Sequence, residues 1–216
     1  MKAMLLDECS QPVSERKRVS TPADPTAEAC LGALDELAEM LPGFDRAAVG
    51  YPGVIKAGAT MTAANLHASW IGFPLAAELS KRWGKPVRVG NDADVQGYGA
   101  ITGQGSEMVV TLGTGMGAAL FVRGRLYPNL ELGHHPWRKK TYEDYLGRRG
   151  LNQYGKKKWN KLLAEAIDTW RAIFNFDTLY LGGGETKRIS FALPADVKIV
   201  SNELGLLGAA SLWKDA

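Results

Sequence analysis

The chain has 216 residues, of which 45% are hydrophobic and 23% charged, a balance that predicts a globular protein with a sizeable core in one large domain or two small ones. A formal charge of +3 is too mild to make nucleic acid or an anionic membrane surface the main partner. Cys9 and Cys30 stand apart, which excludes a disulfide scaffold. No apolar run reaches about 18 residues and the opening one is too short for a signal peptide, so a cytoplasmic setting with no membrane partner is expected.

In chain order, Ala3–Leu6 predicts a short strand closed by Asp7 and Glu8, followed by a polar connection over residues 10–25. Asp24-Pro25 offers an N-cap and a first-turn proline to a helix carrying Leu31, Leu34, Leu37, Ala38 and Leu41, which Pro42-Gly43 stops. Ala47–Tyr51 reads as a strand running into Pro52-Gly53, and Leu75–Trp83 as a helix ended by Gly84 and Pro86. Val87–Val89 is the next strand, with Asn91-Asp92 at its C-terminal end and a helix over Ala93–Ile101. Beyond Thr102, Val109–Leu112 and Ala118–Val122 are strands around a glycine loop, and Arg123-Gly124 turns the chain toward Leu126. Lys156–Phe174 predicts a long amphipathic helix with Trp159, Leu162, Leu163, Ala166, Ile167 and Trp170 on one side. The strand Thr178–Leu181 ends in three glycines; a strand Val197–Val200 and a helix Leu204–Trp213 close the chain. Strands alternating with helices predict the α/β class, and the change of texture near residue 102 predicts two lobes.

Two places carry chemistry. In GTGMG, Gly113, Gly115 and Gly117 fall at every second position, which lets a backbone approach a ligand closely and aim N–H groups at an anionic oxygen. The spacing is not that of a dinucleotide-binding turn, and no Gly-Lys-Ser/Thr follows, so the pattern is that of a hairpin. A glycine-rich hairpin without any ligand is the plain alternative. In VRVGNDADV, Asp92 and Asp94 follow a strand directly. Carboxylates at the C-terminal ends of strands in open α/β sheets can take the proton of an attacking hydroxyl. Simple capping of the next helix by Asn91 or Asp92 is the competing reading, and for Asp94 the favoured one.

The segments GNDAD, VVTLGTGMGAALF, NLELGHH, LYLGGGETKRI and SNELGLLGAASLW together resemble the ROK family of sugar kinases and repressors, above all its polyphosphate/ATP glucokinase branch. The resemblance implies an actin-like ATPase (ribonuclease H-like) fold of two lobes with a cleft between them, whose closure excludes water. Residues 1–102 with 205–216 would form the sugar and phosphate lobe, and 103–204 the donor lobe. It implies transfer of a phosphoryl group from ATP or polyphosphate, with Mg²⁺, to the 6-hydroxyl of glucose or a similar hexose. Asp92 would be the general base. Asn65, Asn91, Asp92, Glu131, His134 and Glu143 would contact the sugar. Gly113, Thr114, Gly115 and Gly117, with Gly182, Gly183 and Gly184, would hold the phosphates or nucleotide. A homodimer is also implied. A sugar-responsive regulator is the alternative reading, and an actin- or chaperone-like ATPase a third, against which the Glu131–His134 motif counts.

Two departures from the family pattern stand out. The cysteine-rich zinc motif that often follows E-x-G-H is replaced by HPWRKKTYEDYLG, so no structural zinc or other metal site is expected. The D-x-G-G-T-x-x-K hairpin that opens these enzymes is reduced to Lys2, which implies either a misplaced or trimmed start or a degenerate, weakly active protein. Outside the motifs, the basic run Gly155–Lys161, with Arg148-Arg149 before it, is either a polyphosphate holder or a solvated helix face. Trp70, near Asn65, is expected beside the sugar.

Overall fold

The structure, a computed structural model, describes residues 1–63, 66–127, 129–201 and 204–213, with only the backbone described at 204 and 205. The chain divides into two compact units, Met1–Gly99 with Gly205–Ala216, and Ala100–Leu204.

The first unit opens with an antiparallel two-residue ladder of β1 (Lys2–Ala3) and β2 (Lys17–Arg18), with Lys2 opposite Arg18. The expected strand over Ala3–Leu6 is thus shorter and begins earlier. Beyond Ala3, Leu5 donates to the Ser14 hydroxyl at 2.8 Å and Leu6 forms only an isolated bridge with Pro12, a residue with no N–H to extend a ladder. Helix α1 (Ala27–Glu39) starts two residues later than Asp24-Pro25 suggests: the Thr26 hydroxyl caps it by accepting from Ala29 N–H. The Pro25 carbonyl instead accepts from the Trp70 indole at 2.9 Å.

Strands β3 (Ala47–Tyr51) and β6 (Val87–Asn91) pair in parallel, Gly50 beside Gly90 and Tyr51 beside Asn91. Between them lie a small hairpin, β4 (Ile55–Lys56) and β5 (Ala59–Thr60), and helix α2 (Leu75–Trp83). Gly84 ends α2 at φ 62°, a left-handed C-cap. Helix α3 (Asp92–Ala100) follows β6 without a loop. Leu31, Tyr51, Trp70, Leu75, Leu79 and Val87 form the core of this unit. Trp70 is 3% exposed and packs on Tyr51 and Phe73, so it belongs to the core and not to a sugar-facing surface.

The second unit is built on a five-stranded sheet. Strands β7 (Ser106–Leu112), β8 (Met116–Val122) and β9 (Arg125–Tyr127) form an antiparallel meander. After it come a small ladder of β10 (Pro136–Trp137) and β11 (Lys140–Thr141), then helices α4 (Tyr142–Leu146) and α5 (Arg148–Phe174). Strand β12 (Thr178–Gly182) pairs in parallel with β7, and β13 (Val197–Ile199) in parallel with β12. Helix α5 begins eight residues before the predicted Lys156 and is broken at Gly155, whose φ of 74° and ψ of 159° are not helical. Its second stretch lays Trp159, Leu163, Ile167 and Trp170 against Met108, Val110, Leu112, Leu179 and Leu181 of the sheet. The two tryptophans are fully buried.

The closing segment is a short helix α6 (Leu204–Leu207) and a 3-10 turn over Gly208–Trp213, not one continuous helix. A Cβ on Gly208 would lie 2.6 Å from the Gly99 nitrogen, so the closing turn sits directly on α3. Trp213 lies under the guanidinium groups of Arg46 and Arg88, at 5.3 and 4.6 Å from its ring centroid.

Candidate functional site

In the first unit the chemistry gathers where β6 becomes α3. Asn91 is 9% exposed. Its Oδ1 accepts from Ala93 N–H at 2.8 Å and Asp94 N–H at 3.2 Å, and its Nδ2 donates to the Gly53 carbonyl at 3.1 Å. These bonds make Asn91 the N-cap of α3 and fix the peptide that precedes Asp92. Asp92 is exposed and Asp94 buried. Glycine at position 50 matters here: a Cβ would stand 3.5 Å from Asp92 Cα and 3.7 Å from its Cβ. The exposed Asp92 therefore stands directly after a strand end, where the neighbouring strand carries no side chain at position 50. Asn65 lies outside the described residues.

In the second unit the glycine hairpin is framed at both ends. At its far end, Met116 N–H donates to Glu143 Oε2 at 2.9 Å, while the Met116 carbonyl lies against Gly133, where a Cβ would come within 3.2 Å of Met116 C and closer still to the oxygen. At its near end, the Leu112 carbonyl accepts from Glu185 N–H at 3.0 Å. Gly183, at φ 93°, passes so close under Leu112 that a Cβ would lie 2.5 Å from Leu112 N and C. The tip is tied too, since Arg148 N–H donates to the Gly113 carbonyl at 2.8 Å. The Arg148 guanidinium then reaches the buried carboxylate of Glu185 at 2.7 Å.

The glycine-rich hairpin, the three-glycine turn and the ELGHH and YEDYL segments thus converge on the two ends of one hairpin. Glu131 and His134 flank Gly133, with His134 Nδ1 3.5 Å from Glu131 Oε2, both partly exposed. Gly182 ends β12, and Gly184 follows the Gly183 turn that Thr186 closes by donating to the Gly183 carbonyl at 2.9 Å.

Donor use inside the hairpin is uneven. Gly113 N–H goes to the Gly115 carbonyl at 3.0 Å and Gly117 N–H to the Thr111 hydroxyl at 3.2 Å. Thr114 and Gly115 keep N–H groups with no partner among the described residues. Two successive donors at the tip, not a whole ring of glycine amides, are therefore available to an anionic oxygen. Sequence reading gave Thr111, Met116, Arg148 and Glu185 no part in holding the hairpin, which they do through a side-chain hydroxyl, backbone atoms and an ion pair buried only on its Glu185 side.

A different buried acid, Glu107, staples the start of β7. Burial by itself raises its pKa, but hydrogen bonds from Thr102 N–H and hydroxyl, Gly103 N–H and the Tyr180 hydroxyl, at 2.7 to 3.0 Å, outweigh that and hold it below the usual carboxylate value. In α4, Thr141 and Asp144 form a reciprocal capping box, which lowers the Asp144 pKa. Among the described residues no group of three or more His, Cys, Asp and Glu could hold a metal ion, and no helix is long and apolar enough to cross a membrane.

These features can be set beside known proteins. The sequence profile described as "ROK family" matches residues 1–150. The chain is similar to the polyphosphate glucokinase of Mycobacterium tuberculosis, 31% identical over 222 aligned positions that cover 93% of this chain and 82% of that one. In structure it is similar to an inorganic polyphosphate/ATP-glucomannokinase from Arthrobacter sp. strain KM, with a TM-score of 0.87, 29% identity, and coverage of 98% and 92%. It also shares the fold of a ROK family glucokinase from Streptomyces griseus, at TM-score 0.74 and 20% identity, covering 99% and 95%. The fold is that of the actin-like ATPases. From the framed hairpin, the strand-end aspartate and these likenesses, the chain belongs to the ROK family.

Proposed function

We propose that this chain is a hexose kinase that moves a phosphoryl group from ATP or polyphosphate to the 6-hydroxyl of glucose or a similar hexose. The observation that carries this reading is the hairpin whose two ends are gripped by Glu143 and Gly133 on one side and Gly183 and Glu185 on the other. Phosphoryl transfer asks mainly for positioning and stabilisation of charge. A hairpin so braced offers the Thr114 and Gly115 N–H groups to a donor phosphate without having to rearrange.

In the reaction the hexose 6-oxygen attacks the terminal phosphorus, the bond from that phosphorus to the rest of the donor breaks, and the hydroxyl proton passes to the Asp92 carboxylate. Asn91 acts as a positioning residue for Asp92, since its amide is held by Gly53 and the first turn of α3. Asn65, Asn91, Glu131 and His134 are assigned to sugar hydroxyls. Glu143 is assigned both to the sugar and to the hairpin. Gly113, Gly117, Gly182, Gly183 and Gly184 shape the donor site by letting backbones approach.

Magnesium would come with the donor phosphates, since such sites need only one or two protein carboxylates beside the substrate's phosphate oxygens. When bound, it neutralises charge on the phosphoryl oxygens. The reading extends to a cytoplasmic setting and to a homodimer, and light scattering of the purified chain tests the second directly.

The test of the function is formation of glucose 6-phosphate by the purified chain, followed by coupled dehydrogenase assay with ATP and with polyphosphate. Product with either donor is expected. Glucose binding with no product from either would favour a sugar-responsive regulator.

A further inference from the structure

The segment from Gly133 to Glu143 is a strap whose two ends meet the same residue of the glycine hairpin. Gly133 lies against the Met116 carbonyl, and Glu143 Oε2 accepts from Met116 N–H at 2.9 Å. We propose that Trp137, inside this strap, is a positioning residue that sets His134 and Glu143 for the sugar; this rests on the assignment of those two residues to the sugar in the kinase reading above.

The backbone alone holds the strap weakly. Its ladder pairs only Pro136 with Thr141 and Trp137 with Lys140, and Tyr142 N–H donates to the His135 carbonyl at 3.3 Å. A lone two-stranded ladder is marginal in water, and Pro136 has no N–H to give. The turn joining the strands adds a cost, because Arg138 sits at φ 58°, a left-handed backbone that opposes a Cβ. Something other than the ladder therefore keeps the strap shut.

Aromatic side chains supply that hold. The Trp137 ring stacks on Tyr142, with centroids 4.8 Å apart and planes 10° from parallel, and stands edge-on to Tyr145 at 5.4 Å. Such pairs stabilise beyond the area they bury. Tyr142 is 2% exposed and packs in turn on Trp170 of α5, so the stack is anchored in the core of its unit. The Arg138 guanidinium lies 5.2 Å from the Trp137 ring centroid and pairs with Glu165, also on α5. Trp159 and Trp170, the other tryptophans of this unit, are fully buried and serve the core. Trp137 is only half-buried, and its ring meets the strap's own far end.

That end is where the assigned residues lie. Tyr142 directly precedes Glu143, and His135 directly follows His134, with the His135 and Tyr142 rings 6.3 Å apart. Seating Trp137 on Tyr142 closes the strap between His134 and Glu143 and keeps the Glu143 carboxylate on Met116 N–H. Without the ring, only the short ladder would fix their separation.

The experiment compares the parent with Trp137→Ala and Trp137→Phe. With saturating donor, Trp137→Ala should raise the glucose KM about tenfold, the upper end of what one hydrogen bond contributes, and leave kcat within about twofold. Trp137→Phe, which can still stack, should stay within about threefold of the parent KM. Amide hydrogen exchange gives a readout independent of sugar: Met116 N–H should exchange about tenfold faster in Trp137→Ala, while Val110 N–H in the middle of β7 keeps the parent rate. A glucose KM within about twofold of the parent in Trp137→Ala overturns the proposal. So does a Trp137→Phe no better than Trp137→Ala, or exchange speeded equally at Met116 and Val110, which is general loosening. If Trp137→Ala does not fold, Trp137→Leu, apolar but without a ring, takes its place under the same criteria. Should the parent neither bind glucose nor form product, the kinase reading fails on its own. Exchange then decides the clamp: speeding at Met116 alone supports it, and an unchanged Met116 rate overturns it.

Discussion

Substituting Gly115 by alanine tests whether the hairpin is held by Glu143. Position 115 does not require a left-handed backbone, so the change acts through space alone. The new Cβ would fall 3.1 Å from Glu143 Cδ and closer to Oε2, which pushes the carboxylate off Met116 N–H. A hydrogen bond from a backbone N–H to a charged group contributes about 1.5–3 kcal/mol. Because Glu143 is only partly buried, the lower end applies, and Gly115→Ala should cost about 1.5 kcal/mol. That is a fall of about 3–6 °C in Tm for a chain of this size. Glu143→Ala should cost about as much by removing the acceptor. The double variant should then be no worse than Glu143→Ala alone, because the methyl group enters the space the carboxylate has left. Urea denaturation of the four proteins measures a coupling of about 1.5 kcal/mol, and the single variants should share a raised donor KM. Additive costs, or a Gly115→Ala protein within about 0.3 kcal/mol of the parent, would refute the reasoning.

The other end of the hairpin should be less forgiving. Gly183→Ala combines a φ of 93° with a clash against the Leu112 backbone, which has no side-chain end to swing away, so a loss of about 3 kcal/mol or more is expected in the same denaturation assay. Asn91→Ala removes the cap of α3 and leaves its donors unpaired in a buried place; it should cost about 1–2 kcal/mol and lower kcat more than it raises the glucose KM. For Glu107 the folded-state pKa lies below its ordinary value of 4.5. Its contribution is complete above that value and drains away as pH falls through the depressed one. Urea titrations from pH 7 to pH 3 should show this acid loss in the parent and a flatter profile in Glu107→Gln, which is already weaker at pH 7.

Much of this architecture is legible from local pattern. The α5 face of Trp159, Leu163, Ile167 and Trp170 appears in the helical spacing because burial and period coincide. Strands β7 and β8 show because apolar runs flank the glycines. What escapes is long-range. The cap of α1 moves from Asp24 to Thr26 because the Pro25 carbonyl is taken by Trp70, 45 residues away in sequence. That same bond draws Trp70 into the core. The break at Gly155 hides inside a helical composition, since a single glycine signals a kink only when φ is known. That Asn91 caps α3 shows only once its amide is seen bound to Gly53 and the first turn of that helix. The bracing of the hairpin by Arg148 and Glu185 joins residues 37 apart, a pairing that no spacing rule reveals.

The claim on which the account turns is that Asp92 takes the proton of the attacking hydroxyl. The most direct measurement is kcat for Asp92→Asn with saturating glucose and donor, alongside glucose binding by calorimetry. Asp92 is exposed, so the variant should fold as the parent does. The account predicts a kcat lowered about 10²–10⁴-fold, the range for loss of a positioned general base, with glucose still bound. A kcat within about threefold of the parent would contradict it.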